Sequence, residues 1–585
     1  MVDQLHSRRG HLRHRAGAQP GRRRAQRCAQ PDAQEGSTMT VAAVQTPILS
    51  VRDLTIALPA GADRPHAVEN ISFDVAAREV LCIVGESGSG KSITAHAVMG
   101  LLPRNLVSRS GDITLGGASL TGRSEDQMRA VRGRQIGMIF QEPMTSLNPV
   151  QRIGDQITEV FKAHGLLMPL ERAERAVALL AEVGLPEPAQ LMRAFPHQLS
   201  GGQRQRVMIA MALALEPRLL IADEPTTALD VTTQGQILKL IERLRRDRDM
   251  GVLFITHDFG VVDDIADRVA VMRQGRLVET GSAAEVLRAP SHAYTKSLLA
   301  AVPSLTPPPA GPRPHAATAL AVENLEKTYV TSVGFFRPPR VVSAAADVSF
   351  TLRRGETLGI VGESGSGKST VGKCLVRLLE PNGGAIRLGD VDLMALRGSR
   401  LRPLRRRIQM VFQDPYASLN PRKTIGRIIA DGPMAHGVPA RAAHDKAREL
   451  IQLVGLSVDA LERYPHEFSG GQRQRIGIAR ALALEPEVVV ADEAVSALDV
   501  SVQAQILLLL RDLKQRLAMS LIFITHDLRV AAQICDRIAV MQRGRIVEIG
   551  DTAAVFADPQ HAYTRELLAA VPGRRHSSPH VPNKA

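Results

Sequence analysis

Aromatic residues and cysteine are scarce in this chain of 585 residues. Tryptophan is absent, and aromatic residues make up only 3% of the sequence. The four cysteines, Cys28, Cys82, Cys374 and Cys535, are scattered without a spacing of two residues between any pair. We therefore expect aliphatic, alanine-rich cores. The cysteine pattern predicts neither a disulfide framework nor a cysteine metal site, which suits a reducing cytosol.

Long apolar runs are also missing. A helix that crosses a bilayer needs about 20 consecutive apolar residues, and candidates such as residues 506–510 are short pieces of amphipathic helix. We therefore do not expect the chain to form a membrane channel by itself. With 44% hydrophobic and 23% charged residues the composition is that of globular protein, and the length predicts several domains.

Basic residues outnumber acidic ones, which gives a formal net charge of +14. Residues 1–38 contain eight arginines and three acidic residues, and they lack the hydrophobic segment of a signal peptide. We expect residues 1–45 to be a disordered basic extension, or the product of translation that began upstream of Met39. A nucleic-acid-binding arm is the alternative. The basic cluster at 400–407 is interpreted as a solvated face, with contact to acidic lipid or a partner as its alternative.

The chain contains one unit twice. The octapeptide Gly-Glu-Ser-Gly-Ser-Gly-Lys-Ser occurs at residues 85–92 and 362–369, and later motifs repeat with an offset of 269 residues. The proline-rich segment 303–318 lies between the copies, and its composition favours an extended linker. We therefore predict repeated domains at 46–302 and 319–572, followed by a disordered tail at 573–585.

Each octapeptide fits the phosphate-loop pattern, and an apolar, strand-like run precedes it. The glycines let backbone N–H groups turn toward phosphate oxygens, the lysine reaches the β- and γ-phosphates, and the serine hydroxyl helps to hold Mg²⁺. The alternation of strand-like runs such as 252–255 with helical runs such as 234–245 predicts α/β domains with a mainly parallel sheet. The loop residues are Gly85, Glu86, Ser87, Gly88, Ser89, Gly90, Lys91, Ser92, Gly362, Glu363, Ser364, Gly365, Ser366, Gly367, Lys368 and Ser369.

A second strand-like run ends in two carboxylates in each copy, at Asp223 and Glu224 and at Asp492 and Glu493. Four apolar residues before the pair place the acids at the exposed end of a buried strand. The aspartate suits Mg²⁺, which takes oxygen ligands, and the glutamate suits the polarisation of an attacking water. Two such pairs at similar distances after phosphate loops form a strong signal.

Ser-Gly-Gly-Gln begins a helical pattern in each copy. The glycines expose backbone N–H groups at the positive end of a helix. These residues alone leave two interpretations open, an anion site and a helix cap. They are Ser200, Gly201, Gly202, Gln203, Ser469, Gly470, Gly471 and Gln472.

The order of the motifs resembles the nucleotide-binding domain of ABC ATPases. The phosphate loop, a glutamine, Ser-Gly-Gly-Gln, the acidic pair, Ala-Leu-Asp and a lone histidine follow one another twice within residues 46–572. The resemblance implies tandem P-loop ATPase domains, each with a mainly parallel sheet and a helical subdomain, that face each other head to tail. It then implies that Lys91 works with Ser469 and Gly471, and Lys368 with Ser200 and Gly202.

The resemblance also implies catalytic roles. Glu224 and Glu493 are expected to be general bases for ATP hydrolysis. His257 and His526 are expected to contact the γ-phosphate, whereas a purely structural turn is the alternative for them.

Further residues are expected to bind or couple the nucleotides. Asp230 and Asp499 would couple the two sites, and Tyr329 would stack on adenine in the second copy. The matching residues 54–58 of the first copy lack an aromatic residue, so we predict two competent sites of unequal affinity. The expected Mg²⁺ ligands are Ser92, Gln141, Asp223, Ser369, Gln413 and Asp492.

Two further stretches in each copy resemble the dipeptide/oligopeptide importer ATPases. They are residues 144–149 and 416–421 after the glutamine, and the tails 290–303 and 559–572. The resemblance implies two membrane permease subunits and a solute-binding protein as partners, and a peripheral position on the cytoplasmic face of the bacterial inner membrane. His292 and His561 of the tails are interpreted as packing residues because no other metal-binding side chain accompanies them.

We therefore predict an ATP- and Mg²⁺-dependent ATPase that energises an importer of peptides or related small solutes. A ribosome-associated ABC ATPase is the alternative, which the short proline-rich linker disfavours. A DNA-repair ABC ATPase would carry zinc-binding cysteine clusters, which this sequence lacks. Peptides, glutathione, peptide antibiotics, nickel and glycosides all remain open as substrates.

Overall fold

The computed structural model describes residues 47–141, 146–226, 229–308, 317–331, 340–496 and 498–573. The segments predicted to be disordered, 1–45 and the tail after residue 573, lie outside the described residues, as do part of the linker and residues 144 and 145. Residues 45–585 group into one unit.

The first repeat begins with antiparallel strands and continues with a mainly parallel sheet. Its strands are β1 (Leu49–Ala57), β2 (His66–Val75), β3 (Val80–Val84), β4 (Val107–Leu115), β5 (Ala118–Ser119), β6 (Ile136–Ile139), β7 (Leu219–Asp223), β8 (Gly251–Thr256), β9 (Arg268–Arg273) and β10 (Arg276–Ser282). Its helices are α1 (Lys91–Val98), α2 (Glu125–Val131), α3 (Ile153–Ala163), α4 (Pro169–Glu182), α5 (Pro188–Leu191), α6 (Gly201–Ala212), α7 (Val231–Asp247), α8 (Phe259–Ile265), α9 (Ala283–Arg288) and α10 (Ala293–Ala301).

The second repeat has the same order of strands, and its helices differ in the short segments α5 and Pro415–Ser418. Its strands are β11 (Thr318–Thr331), β12 (Arg340–Arg353), β13 (Thr357–Val361), β14 (Gly383–Leu388), β15 (Val391–Asp392), β16 (Ile408–Val411), β17 (Val488–Asp492), β18 (Ser520–Thr525), β19 (Arg537–Gln542) and β20 (Arg545–Asp551). Its helices are α11 (Lys368–Leu375), α12 (Arg402–Arg407), α13 (Pro415–Ser418), α14 (Ile425–Ala435), α15 (Ala440–Leu453), α16 (Gly470–Leu482), α17 (Val500–Arg516), α18 (Leu528–Ile534), α19 (Thr552–Ala557) and α20 (Ala562–Ala569).

Two sheets form in each repeat. In the first repeat the antiparallel sheet has the order β2-β1-β4-β5, and the larger sheet has the order β10-β9-β3-β8-β7-β6. Strands β9, β3, β8, β7 and β6 pair in parallel, and only β10 runs antiparallel to its neighbour. The second repeat has equivalent sheets. The predicted fold class, tandem α/β domains with a mainly parallel sheet, is therefore confirmed.

The parallel strands explain where the site lies. Strands β3 and β7 are buried along their whole length, as their continuous apolar sequences require. The phosphate loop leaves the carboxyl end of β3, and the acidic pair leaves that of β7, with β8 hydrogen-bonded between them. Because the carboxyl ends of parallel strands share one edge of a sheet, the motifs meet there.

The predicted helical segments are helices in the structure. The helical runs after the glutamine form α3 and α4 in the first repeat and α14 and α15 in the second. Helices α14 and α15 bury Ile428, Ile429 and Leu450, which belong to one core cluster with α16. This arrangement is the predicted helical subdomain, joined to the sheet domain through the helix that follows Ser-Gly-Gly-Gln.

The cores are aliphatic, as the composition predicts. Phe254 and Phe523, at equivalent positions of β8 and β18, are the two aromatic residues among the largest fully buried side chains, and the others are leucine and isoleucine. Cys82, Cys374 and Cys535 are buried free thiols. None of the described helices combines the length and the apolar character of a bilayer-spanning helix.

The end of the first repeat contacts the second repeat. Helix α10 of the first repeat packs against α17 of the second. The start of the linker docks on the second repeat, where the side-chain amide of Gln533 donates to the carbonyl oxygens of Ser304 at 2.8 Å and Thr306 at 3.0 Å. The tail that follows the first sheet therefore helps to hold the two repeats together.

Candidate functional site

The first glycine of each phosphate loop packs directly against a neighbouring strand. A Cβ at Gly85 would lie 2.1 Å from the carbonyl oxygen of Met272, and one at Gly362 would lie 2.2 Å from that of Met541. Both glycines also have φ near +150°, a conformation that side chains rarely adopt. The absence of a side chain therefore lets the loop start tight against the carboxyl end of β9 or β19.

The lysine of each loop folds back over its own backbone. Lys91 Nζ donates to the carbonyl oxygens of Gly85 at 2.8 Å and Glu86 at 2.9 Å. Lys368 makes the same two bonds, both at 2.8 Å. Burial lowers the pKa of each ammonium, and nearby carboxylates, first Glu224 for Lys91, oppose that effect. The ammonium is thus held at the centre of the loop, where the sequence predicts phosphates.

The serine that ends each loop meets the aspartate that ends the neighbouring apolar strand. Ser92 Oγ donates to Asp223 Oδ1 at 3.0 Å, and Ser369 Oγ donates to Asp492 Oδ1 at 2.9 Å. Burial raises the pKa of Asp223 to about 6, although the bond from Ser92 opposes the rise. A hydroxyl and a carboxylate oxygen side by side fit a hard cation such as Mg²⁺.

The glutamate of each acidic pair contacts two other predicted site residues. Glu224 accepts a hydrogen bond from Gln141 Nε2 at 3.0 Å, and its other oxygen lies 3.2 Å from His257 Nδ1. Glu493 has the equivalent neighbours at 2.7 and 3.2 Å, namely Gln413 and His526. The structure thus brings these predicted residues together in both repeats.

The electrostatics and backbone of these glutamates are unusual. Burial disfavours a charged His257, yet the hydrogen bond and charge of Glu224 raise the pKa of this histidine above its usual value. The pKa of His526 beside Glu493 is raised for the same reason. Both glutamates have φ of 46°, in the left-handed region, which costs a non-glycine residue energy and recurs at functional sites.

The two repeats touch at the first phosphate loop. The backbone N–H of Ser87 donates to Asp499 Oδ1 at 2.8 Å, and the hydroxyl of Ser501 donates to the carboxylate of Glu86. Asp499 and Ser501 belong to the start of α17 in the second repeat. A head-to-tail arrangement is the geometry that brings the Ala-Leu-Asp segment of one repeat to the loop of the other.

The second phosphate loop opens into a cavity of about 630 Å³. Lys368, Glu493 and His526 line it, and Asp230 reaches it from the first repeat. Tyr329, predicted to stack on adenine, also lines it and is 38% exposed. The cavity is large enough for a nucleotide, since ligand pockets commonly measure about 300–1,000 Å³.

The two Ser-Gly-Gly-Gln motifs form helix caps. Ser200 Oγ accepts from the N–H of Gln203 at 3.3 Å, and Gln203 Oε1 accepts from the N–H of Ser200 at 3.0 Å. Ser469 and Gln472 form the same reciprocal pair. Both motifs therefore cap their helices, and their role as an anion site stays a prediction. Gly470 is among the described residues that line the large cavity, whereas Ser200 and Gly202 are not. The pairing of Lys368 with Ser200 and Gly202 therefore stays a prediction. The pairing of Lys91 with Ser469 and Gly471 stays a prediction as well.

The tail histidines have a structural task. His292 Nδ1 accepts the N–H of Tyr294 at 3.1 Å, and His561 Nδ1 accepts that of Tyr563 at 3.2 Å, so that each histidine caps the helix that follows it. This agrees with their interpretation as packing residues.

Sequence reasoning missed the contact of the tail tyrosines with the phosphate loops. Each tyrosine hydroxyl accepts a backbone N–H from the second residue of a loop. The repetition of the tail motif was the signal that pointed to them. Ser501, which bonds to Glu86 across the repeats, was missed as well.

Two protein families match the chain, each in both repeats. The family described as ABC transporter matches residues 68–227 and 345–496. The family described as oligopeptide/dipeptide transporter, C-terminal region, matches residues 278–327 and 547–583.

Relatives of known function match along most of the chain. The glutathione import ATP-binding protein of Salmonella choleraesuis (strain SC-B67) is 49% identical over 557 residues, which covers 90% of this chain and 89% of the relative. The protein of that name from Escherichia coli O157:H7 is 49% identical over 561 residues, with the same coverage. A solved dimeric structure of a bacterial ABC transporter cassette covers 40% of this chain and 98% of its own, at 28% identity and a TM-score of 0.37.

Proposed function

The chain belongs to the ABC transporter family of ATP-binding proteins, and we propose that it hydrolyses ATP to energise the import of peptides or related small solutes. The observation that carries this proposal is the repetition of one cluster of residues: each repeat brings a loop lysine, a serine–aspartate pair and a glutamate with its glutamine and histidine together. The predicted membership in the dipeptide/oligopeptide type is confirmed by the match of both tails. The ribosome-associated alternative receives no support from the relatives described above.

The phosphate loops bind the triphosphate of ATP in this proposal. Their backbone N–H groups and the ammonium groups of Lys91 and Lys368 neutralise the phosphate charge. Ser92, Gln141 and Asp223 would hold Mg²⁺ in the first repeat, and Ser369, Gln413 and Asp492 in the second. When bound, Mg²⁺ supplies positive charge next to the phosphates. The oxygen atoms of Ser92 and Asp223, 3.0 Å apart, fit such an ion.

Glu224 and Glu493 act as general bases for the attacking water. Each carboxylate follows the carboxyl end of its strand, is largely buried, and is oriented from two sides by an amide and an imidazole. His257 and His526, with raised pKa values, favour contact with the γ-phosphate as cations. Phosphoryl transfer depends mostly on such positioning and charge stabilisation.

Closure of the two repeats around ATP couples hydrolysis to transport. Contact between Ser87 and Asp499 supports a head-to-tail arrangement, in which Ser469 and Gly471 complete the first site and Ser200 and Gly202 complete the second. Asp230 and Asp499 then couple nucleotide binding at one site to that at the other. Tyr329 stacks on adenine in the second site.

We further propose that the chain acts with two permease subunits and a solute-binding protein on the cytoplasmic face of the inner membrane. The relatives described above are glutathione import ATP-binding proteins, so glutathione is the first solute to test. Peptides, nickel and glycosides follow as comparison ligands.

The proposal is tested by ATP hydrolysis in liposomes that contain the chain and its permeases. We expect a ligand-loaded binding protein to stimulate hydrolysis. The double substitution Glu224→Gln and Glu493→Gln should reduce turnover by about 10²–10⁴-fold, as the loss of a general base does, and leave ATP binding intact. Glu174→Gln, an exposed residue of α4, is the matched control. Normal hydrolysis by the double variant would refute the assignment of the bases.

A further inference from the structure

The tail of each repeat carries a motif that the reaction described above does not use. Pro-x-His-Ala-Tyr-Thr occupies residues 290–295 and again 559–564. The family match covers both tails without assigning a task to any residue in them. Helices α10 and α20 begin directly after the histidine of each motif, so the tyrosine occupies the second position of a helix.

The start of the tail helix is fixed to the sheet by one carboxylate. Glu279 of β10 accepts the N–H of Ser291 at 2.6 Å and the N–H of His292 at 3.2 Å. Burial alone would raise the pKa of Glu279, but hydrogen bonds from the tail hold that pKa at about 2. Glu548 of β20 accepts the equivalent two N–H groups in the second repeat. The tail therefore has a defined docking position in both repeats.

This docking position brings a buried tyrosine to each phosphate loop. Tyr294 is 7% exposed, and its hydroxyl accepts the N–H of Glu86 with an N···O distance of 3.4 Å. Tyr563 is 6% exposed, and its hydroxyl accepts the N–H of Glu363 at 3.1 Å. Burial raises the pKa of each tyrosine to about 12, so both hydroxyls stay neutral. Because the contact forms in both repeats, it is a property of the motif.

The peptide unit that each tyrosine contacts also holds the lysine. The N–H of Glu86 and the carbonyl of Gly85 belong to one planar peptide unit. The N–H donates to Tyr294, and the carbonyl accepts from Lys91 Nζ at 2.8 Å. The second repeat repeats this geometry with Tyr563 and Lys368. A rotation of the peptide plane would move the lysine's acceptor and the tyrosine's donor together.

We propose that Tyr294 and Tyr563 are positioning residues, which fix the first peptide unit of each phosphate loop and through it the lysine that binds ATP phosphates. The inference rests on the proposed function, since it assumes that the loops bind ATP. The tail then contributes to the nucleotide site. A docked tail holds the first peptide unit of the loop in the orientation that binds nucleotide, and a displaced tail leaves that peptide unit free to rotate. The tail helix α10 also packs on α17 of the other repeat. A movement of that repeat would therefore move α10, and with it the tyrosine that contacts the first phosphate loop.

The first test removes only the two hydroxyl groups from the full chain. In the double variant Tyr294→Phe and Tyr563→Phe, the rings remain in place. We expect the KM for ATP to rise about 2- to 10-fold, the range that the loss of one net hydrogen bond gives, with kcat changed less than about 2-fold, since the bases are untouched. Tyr464→Phe, whose side chain is 42% exposed, is the matched control and should behave as wild type.

The second test asks whether tyrosine and lysine act through one peptide unit. Binding of a fluorescent ATP analogue is measured for Tyr294→Phe and Lys91→Ala, each in a Lys368→Ala background, and for their combination. If the tyrosine acts through the lysine, its loss should add little once Lys91 is gone. Additive losses of binding affinity in the combined variant would overturn the inference. An unchanged KM of the double tyrosine variant with a lower melting temperature would also overturn it, because that result indicates a structural role only. A wild-type chain that bound no ATP would overturn the proposed function together with the inference, whereas an active wild type with an unaffected double tyrosine variant would overturn the inference alone.

Discussion

Alanine at the first glycine of a phosphate loop should abolish nucleotide binding at that loop while the fold persists. In Gly85→Ala the new methyl carbon would lie 2.1 Å from the carbonyl oxygen of Met272, and in Gly362→Ala 2.2 Å from that of Met541. Real Cβ contacts are essentially never shorter than 3.0 Å, so backbone on one side must move by roughly 1 Å. The atom in the way is backbone, which cannot rotate aside as a flexible side chain does.

The magnitude follows from two costs. A residue forced into a sparsely populated φ region costs about 1–3 kcal/mol, and overpacking in a tight contact costs about 1–3 kcal/mol more. Their sum, about 2–6 kcal/mol, lowers ATP affinity by at least about 30-fold if the loop relaxes out of its binding conformation.

The assay is the binding of a fluorescent ATP analogue, with the melting temperature measured in parallel. Gly88→Ala is the control within the same loop, because φ there is +73° but no atom lies within 4 Å of a Cβ. The control carries only the cost of a left-handed residue, about 1–2 kcal/mol. If Gly85→Ala bound the analogue as well as Gly88→Ala does, the steric reasoning would be refuted.

Two other predictions concern stability. Gly477→Ala, inside α16 with no atom near the new methyl group, should stabilise the second repeat by about 0.5–1 kcal/mol because alanine favours helix; a lower melting temperature would contradict this. The folded-state pKa of Glu279, about 2, lies below its ordinary value of 4.5, so its contribution is complete above pH 4.5 and is lost as the pH falls toward 2. The melting temperatures of wild type and Glu279→Gln should therefore differ most at neutral pH and converge as the pH falls from 4.5 to about 2; a gap that is independent of pH would show that the charge plays no part.

Local patterns predicted the parts of the fold that depend on local physics. The apolar run before the first phosphate loop is β3, and the helical run at 234–245 lies within α7 (Val231–Asp247). Each is set by periodicity and by a terminating motif within a few residues. The proximity of the acidic pair and the phosphate loop follows from a general rule, because the carboxyl ends of parallel strands lie at the same edge of a sheet.

Contacts between distant segments could not be obtained in this way. Tyr294 reaches Glu86 across 208 residues of sequence, and the partner of its hydroxyl depends on how α10 docks after the sheet is complete. The left-handed conformation of Glu224 is likewise imposed by neighbouring strands, since glutamate has no local preference for it. The sequence supplied the repetition of the tail motif, but only packing shows which atoms that motif touches.

The two Ala-Leu-Asp segments show how equal motifs acquire unequal surroundings. The carboxylate of Asp230 accepts the N–H of Thr233 at 2.8 Å and so caps its own helix, α7. Asp499 makes no side-chain hydrogen bond to the start of α17, and its carboxylate accepts the N–H of Ser87 in the other repeat. The first loop is therefore bound across the repeats through Asp499, whereas Asp230 borders a cavity at the second loop. This difference, together with the presence of Tyr329 on one side only, supports the prediction of unequal ATP affinities from two independent parts of the site.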